Sequence, residues 1–266
     1  MDETNYDAIS YKAPFIREVV LKLDFPTPIT EFADSLPQSL ANIIIGQFPI
    51  AEPRKTQAHS VAISNNAQEP SNISVQASQT EMRDWLYHGI NRDKTLVLNQ
   101  NTFIASFRKY TSFENFQENI YPSVDELFRL YPNLHINRVG LRYINVIEQK
   151  VAKNPLVWNK LINKSLLSSL DFANTEKEKI SRAFSVLEFN FDGEFITFQY
   201  GISNPDYPAP IRQKQFVLDL DGYSIGAFGK LEMKECAKKA HSRIQKIFES
   251  AILDDTRKIM NAEDNS

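Results

Sequence analysis

A single cysteine, Cys236, occurs in the 266 residues, so no intrachain disulfide can form. That excludes the small disulfide-stapled scaffolds and favours a reducing compartment. Glycine is scarce, at 8 residues, which argues against nucleotide folds built on several tight phosphate loops. No phosphate loop, no Gly-x-Ser-x-Gly elbow and no His-Glu-x-x-His run is present. The histidines, His59, His88, His135 and His241, lack metal spacing, so no metal, no cofactor and no catalytic set is expected. A large charge of one sign is missing too: 30 Lys and Arg stand against 33 Asp and Glu, for a net charge of -3. Proteins that track phosphate backbones usually carry a basic excess, so nucleic acid is not the favoured partner. No apolar run approaches the roughly 18 residues of a membrane span. The best short one, Ile43-Ile44-Ile45, stops at Gly46. The opening Met1 to Ser10 is polar and acidic, without the pattern of a secretory leader. The expectation is a cytoplasmic chain with no membrane contact.

What is present is enough apolar material for a sizeable core. Hydrophobic residues make up 42% of the chain, with 18 Phe and 10 Tyr. The stretch Ile136 to Ile147 reads as one long strand. Side chains alternate faces along a strand, so Val139, Leu141 and Tyr143 share one face and Arg138, Gly140 and Arg142 the other. Two guanidiniums therefore flank a glycine opposite an apolar stripe.

The rest of the chain arranges itself in two halves around residue 150. An opening strand runs from Pro14 to Phe25, with Arg17 as the exception on its apolar face, and Pro26 stops it. A helical pattern follows from about Glu31, with Thr30 as a candidate cap, Pro37 as a kink or restart and Gly46 as terminator. Residues 51–80 suggest a hairpin with a polar tip at Asn65 to Asn72. A three-strand meander is expected at Trp85 to Tyr87, Thr95 to Leu98 and Thr102 to Phe107. Phe113, Phe116, Ile120, Val124 and Leu127 then mark an amphipathic helix containing Pro122.

In the second half a helix is expected from about Pro155, through Trp158, Leu161 and Leu166. Phe184 to Phe191 and Phe195 to Ile202 form a hairpin around Asp192-Gly193. A third strand covers Phe216 to Asp221, and Gly222, Gly226 and Gly229 separate it from a long final helix reaching Ile259. The fold class is α+β: antiparallel meanders with helices packed on one face, in two halves of similar element order, 13–150 and 151–262. One continuous sheet across both halves would fit.

Several of these stretches resemble a sporadically distributed prokaryotic family of unassigned function. They are Pro14 to Glu18, the motif Arg138-Val139-Gly140-Leu141-Arg142-Tyr143-Ile144-Asn145, Leu218 to Asp221, and His241 to Phe248. They span nearly the whole chain in order, while residues 51–80 lie outside the resemblance. The resemblance implies a full-length member from a prokaryotic or mobile-element source. It implies no catalytic residues. Scattered occurrence is typical of defence and toxin–antitoxin gene sets, whose products often act on a partner encoded nearby.

The candidate site residues are Arg138, Gly140, Arg142, Asn145, Asp219 and Asp221. Arg138 and Arg142 are about 13 Å apart along a strand, a span suited to two phosphates or an acidic partner surface. The bland alternative pairs each with an acid on a neighbouring strand, such as Glu18 or Asp219. Asp219 and Asp221 share a strand face and could ligate a metal, but no third ligand is evident. Cys236 and His241 read as residues of the last helix's apolar stripe or its edge. Phe107-Arg108-Lys109-Tyr110 could stack single-stranded bases, against ordinary meander packing. The functional expectation is a non-enzymatic protein-interaction module. The alternative is a nucleic-acid binding or processing protein using the Arg138/Arg142 face.

Overall fold

The computed structural model describes residues 9–65, 73–149 and 154–263. The first half contains β1 (Ser10–Tyr11), β2 (Ile16–Asp24), α1 (Gln38–Gln47), β3 (Ile50–Ala51) and β4 (Arg54–Asn65). It continues with β5 (Ile73–His88), β6 (Lys94–Leu98), β7 (Thr102–Phe107), α2 (Phe113–Leu130) and β8 (Ile136–Gln149). The second half holds α3 (Ser168–Phe172), β9 (Ala183–Phe191), β10 (Glu194–Ile202) and β11 (Lys214–Phe228). It ends with α4 (Lys230–Ala251), α5 (Asp254–Ile259) and β12 (Ala262–Glu263).

The architecture is α+β. One antiparallel sheet of ten strands runs β3-β5-β6-β7-β2-β8-β11-β10-β9, with β4 also paired to β5. The sheet is continuous through β8 and β11, so both halves contribute to it. A separate two-stranded ribbon joins β1 to β12. The lead-in at residues 1–8, the hairpin tip at 66–72, the segment 150–153 at the expected division and the tail Asp264 to Ser266 fall outside the described residues.

The alternation of apolar side chains explains which face is covered. Val19, Leu21 and Leu23 of β2, Val139, Leu141 and Tyr143 of β8 and Leu218 and Leu220 of β11 are buried. They join Phe116, Ile120 and Val124 of α2 and Met233, Ala237 and Ile244 of α4 in one core. Phe107 packs edge-on against Phe116 at 4.8 Å and Phe48 at 6.1 Å, so α1 and α2 lie on the same side as α4. Among the described residues, no helix packs on the opposite face of the central strands.

Four expectations about elements change. β11 does not end at Gly222 but continues to Phe228. Gly222 is a point of close approach: a Cβ there would lie 3.1 Å from Ile244 and 3.2 Å from Ala240. The final helix breaks after Ala251, because Ile252 is extended and bridges Ile162 while the Leu253 amide donates to the Leu161 carbonyl at 2.9 Å. The helix expected from Pro155 is reduced to a 3-10 turn at Lys164–Leu167 and the short α3. Thr30 starts only a 3-10 turn without a side-chain cap, and α1 restarts behind Pro37. In β2, Arg17 leaves the apolar pattern through a register shift between Ile16 and Glu18.

Candidate functional site on the two faces of the central strand

β8 lies between β2 and β11, and α4 packs beneath it, so residues 14–18, 138–145, 218–221 and 241–248 meet in one place. On the open face, the register sets Arg142 between Val20 and Asp221, and Gly140 between Lys22 and Tyr223. Arg142 grips Asp219 with both arms, Nε to Oδ1 at 2.7 Å and Nη2 to Oδ2 at 2.5 Å. Arg138 donates from Nη2 to Asp221 Oδ2 at 3.1 Å. Its guanidinium lies 4.6 Å from the centre of the Tyr223 ring, and Tyr223 stacks on Phe195 at 5.2 Å.

Gly140 has a local reason. A Cβ there would sit 2.5 Å from Arg138 Nη1. The arginine's own side chain therefore fills the space above the glycine. Lys22 pairs with Asp24 at 2.9 Å and Arg17 with Glu148 at 2.8 Å. Burial pushes the Asp221 carboxyl above its usual range, with Arg138 and Arg142 pulling the other way. Five of the candidate residues, Arg138, Gly140, Arg142, Asp219 and Asp221, come together here.

Asn145 does not join them. It is odd-numbered like Val139 and Leu141, so it faces the helices, where its Nδ2 donates to the Leu218 carbonyl at 3.2 Å. Near it is a network of phenols and an imidazole that the sequence reading missed. Tyr143 Oη lies 3.1 Å from Tyr110 Oη and 3.0 Å from His241 Nδ1. The His241 ring stacks on Phe113 with centroids 4.2 Å apart. Burial pushes both phenols well above the ordinary tyrosine range, so they stay protonated near neutral pH. Phe107 and Tyr110 both turn towards the helix layer, so no stacking platform forms at Phe107-Arg108-Lys109-Tyr110.

Two cavities of about 90 and 40 Å³ flank this network beneath the segment that carries Tyr11, Pro14 and Ile16. Neither reaches the roughly 300 Å³ of an ordinary small-ligand pocket. Tyr11 Oη donates to Glu249 Oε1 at 2.6 Å, and Arg257 Nε donates to Glu249 Oε2 at 2.9 Å. Glu249 is buried, so these bonds tie β1 to α4 and α5 around one carboxylate.

No cluster of three or more His, Cys, Asp or Glu side chains that could hold a metal occurs among the described residues. Among those residues no helix is long and apolar enough to cross a membrane. No protein-family model matches the chain, and no curated protein matches it.

Proposed function

We propose that the chain is a non-enzymatic protein-interaction module that presents the open face of β2, β8 and β11 to a protein partner. One observation carries the reading: both arginines on that face, and Lys22 beside them, are already paired with carboxylates of the same face. Arg142 holds Asp219, Arg138 holds Asp221, and Lys22 holds Asp24. A phosphate backbone would have to displace carboxylates from both arginines before contacting them. A mixed surface of paired charges, Tyr223 and half-buried aliphatic side chains such as Ile144 instead matches the composition of protein interfaces. The family resemblance supports a partner encoded in a neighbouring gene, in a defence or toxin–antitoxin-like setting. Capture of the purified neighbouring gene products on immobilised protein tests this. Binding should be lost in Tyr223→Asp, and a purified catalytic activity with no captured partner would overturn the reading.

One arrangement favours the second reading, nucleic-acid binding. Arg138, Tyr223 and Phe195 form a continuous stack on the sheet surface, the type of platform on which single-stranded bases lie. Binding of oligo-RNA or oligo-DNA that weakens steeply with salt would replace the first reading by this one.

A further inference from the structure

We infer that the outer edge of β9 is a strand-addition site for an extended, alternately apolar segment of a partner protein that carries an acidic residue. The inference rests on reading the chain as a protein-interaction module and names a second place on it where a partner binds.

β9 is the last strand of the sheet. Its ladder with β10 is regular from Ala183 opposite Ile202 to Phe191 opposite Glu194. Among the described residues, no backbone hydrogen bond outside that ladder involves residues 183–191. The outward N–H and C=O groups of the strand therefore have no backbone partner among the described residues, and α3, which packs near the strand, makes no backbone hydrogen bond to it. Edge strands are ordinarily protected by proline, lysine or a bulge. β9, with the sequence AFSVLEFNF, has none of these, and Glu188 is its one charge. It also exposes large apolar side chains: Phe184 at 38%, Val186 at 54% and Leu187 at 42%. Gly201 on β10 keeps the start of β9 tightly seated, since a Cβ there would lie 2.0 Å from the Ala183 carbonyl oxygen. Positive φ, at +150°, reinforces the requirement for glycine.

Behind this edge lies a groove of about 360 Å³. α4 covers β8, β10 and β11, and the groove is the space left over β9. Leu187, Phe189 and Phe191 of β9 line it with Phe198, Leu166 and Ile247. The groove alone would accept an acyl chain or a helix. The open backbone edge beside it selects a strand, because only a strand completes those hydrogen bonds while sending alternate side chains into the groove. The remaining side chains of such a strand would lie on the open side, next to Phe184 and Val186.

Charge defines the segment further. Arg243 and Lys239 share Glu194, whereas exposed Lys246 on the lip of the groove has no acidic partner among the described residues. A carboxylate at the end of the docked segment would meet it.

The test uses a fluorescein-labelled nine-residue peptide that alternates valine with threonine and ends in aspartate. Anisotropy titration and amide hydrogen exchange are read on the full chain. The expected result is binding accompanied by slowed exchange within residues 183–191. Leu187→Lys, at an exposed position, should weaken binding about tenfold or more. Lys246→Glu should weaken the aspartate peptide and strengthen one ending in lysine. Failure of the peptide to bind overturns the proposal. So does equal binding by Leu187→Lys, or by a peptide N-methylated along its backbone. Binding of an amphipathic helical peptide without protection of β9 would assign the groove to a helix and overturn it. A dimer that forms with rising concentration and is abolished by Leu187→Lys would assign the edge to a second copy and overturn it likewise. If a neighbouring gene product is captured equally by wild type and Leu187→Lys but lost in Tyr223→Asp, the strand site fails while the interaction reading stands. Peptide binding as expected with no captured partner gives the reverse.

Discussion

The two faces of β8 solve the same problem by different chemistry. On the open face, Arg138 and Arg142 reach across to Asp221 and Asp219 as ion pairs. On the helix face, Tyr143 and Asn145 use hydrogen bonds, not ion pairs with carboxylates, to Tyr110, His241 and the Leu218 carbonyl. The difference follows from solvent. Arg142 keeps 46% of its side chain exposed, so its charge is desolvated only in part. Tyr143 is 4% exposed, where an ionised group would face a penalty that only good pairing offsets. A motif that reads as a single string therefore contributes a polar surface by its even residues and a core network by its odd ones.

The sharpest way to break this comparison is to remove bulk from each face in turn. Leu141→Ala on the helix face should cost about 2–5 kcal/mol in urea unfolding. Ile144→Ala, three residues further along the strand on the open side, should cost about 1 kcal/mol. Equal losses would mean that the open face is covered too. Tyr143→Phe comes next. It removes the hydroxyl that bonds His241 Nδ1 and the Tyr110 hydroxyl without adding a cavity, so a loss of about 1–3 kcal/mol is expected. A melting temperature equal to wild type would show that the network contributes nothing to stability.

Gly140→Val should have a smaller effect. The three atoms nearest an added Cβ all belong to the flexible end of Arg138, which can swing away and give up Asp221. The expected loss is about 1 kcal/mol, because the half-buried Asp221 keeps the charge of Arg142 beside it and the strand preference of valine works in the other direction. Large destabilisation would mean that the guanidinium is fixed in place.

The smallest effect concerns an ion pair away from both faces. Glu126 on α2 is bound by Arg129 through two bonds of 2.7 Å, and these, with a hydrogen bond from Ser39, hold its carboxyl down to about 2 from an ordinary 4.5. A lowered folded-state value means that the stability it adds is fully present above pH 4.5. It is lost as pH falls from there towards 2. Glu126→Gln should flatten that part of the acid-unfolding curve, and an unchanged slope would remove the pair from the account.

Much of the fold was legible because alternation and helical periodicity report on burial directly. The residues of β2, β8 and α2 declared their inner faces by spacing alone. Glycine misled at Gly222, since sequence does not distinguish a turn from a place where a helix approaches a strand. The break after Ala251 was hidden because Ile252 and Ile259 continue a helical stripe while answering to a tertiary contact, the bridge from Ile252 to Ile162. At the site, parity already placed Asn145 opposite the arginines. The role of His241 was not readable, since its partner Tyr143 lies 98 residues away and only the packing of α4 on β8 joins them. The open edge of β9 was equally hidden, because an edge is a property of strand order and not of the strand itself.

The claim on which the functional reading rests is that the charge of Arg142 is engaged by Asp219. A double-mutant cycle of Arg142→Met and Asp219→Asn, read by urea unfolding, measures that engagement directly. The predicted coupling is about 1 kcal/mol, with salt reducing it only in part because Asp219 is 12% exposed. A coupling of zero would contradict the account and free the arginine for a ligand.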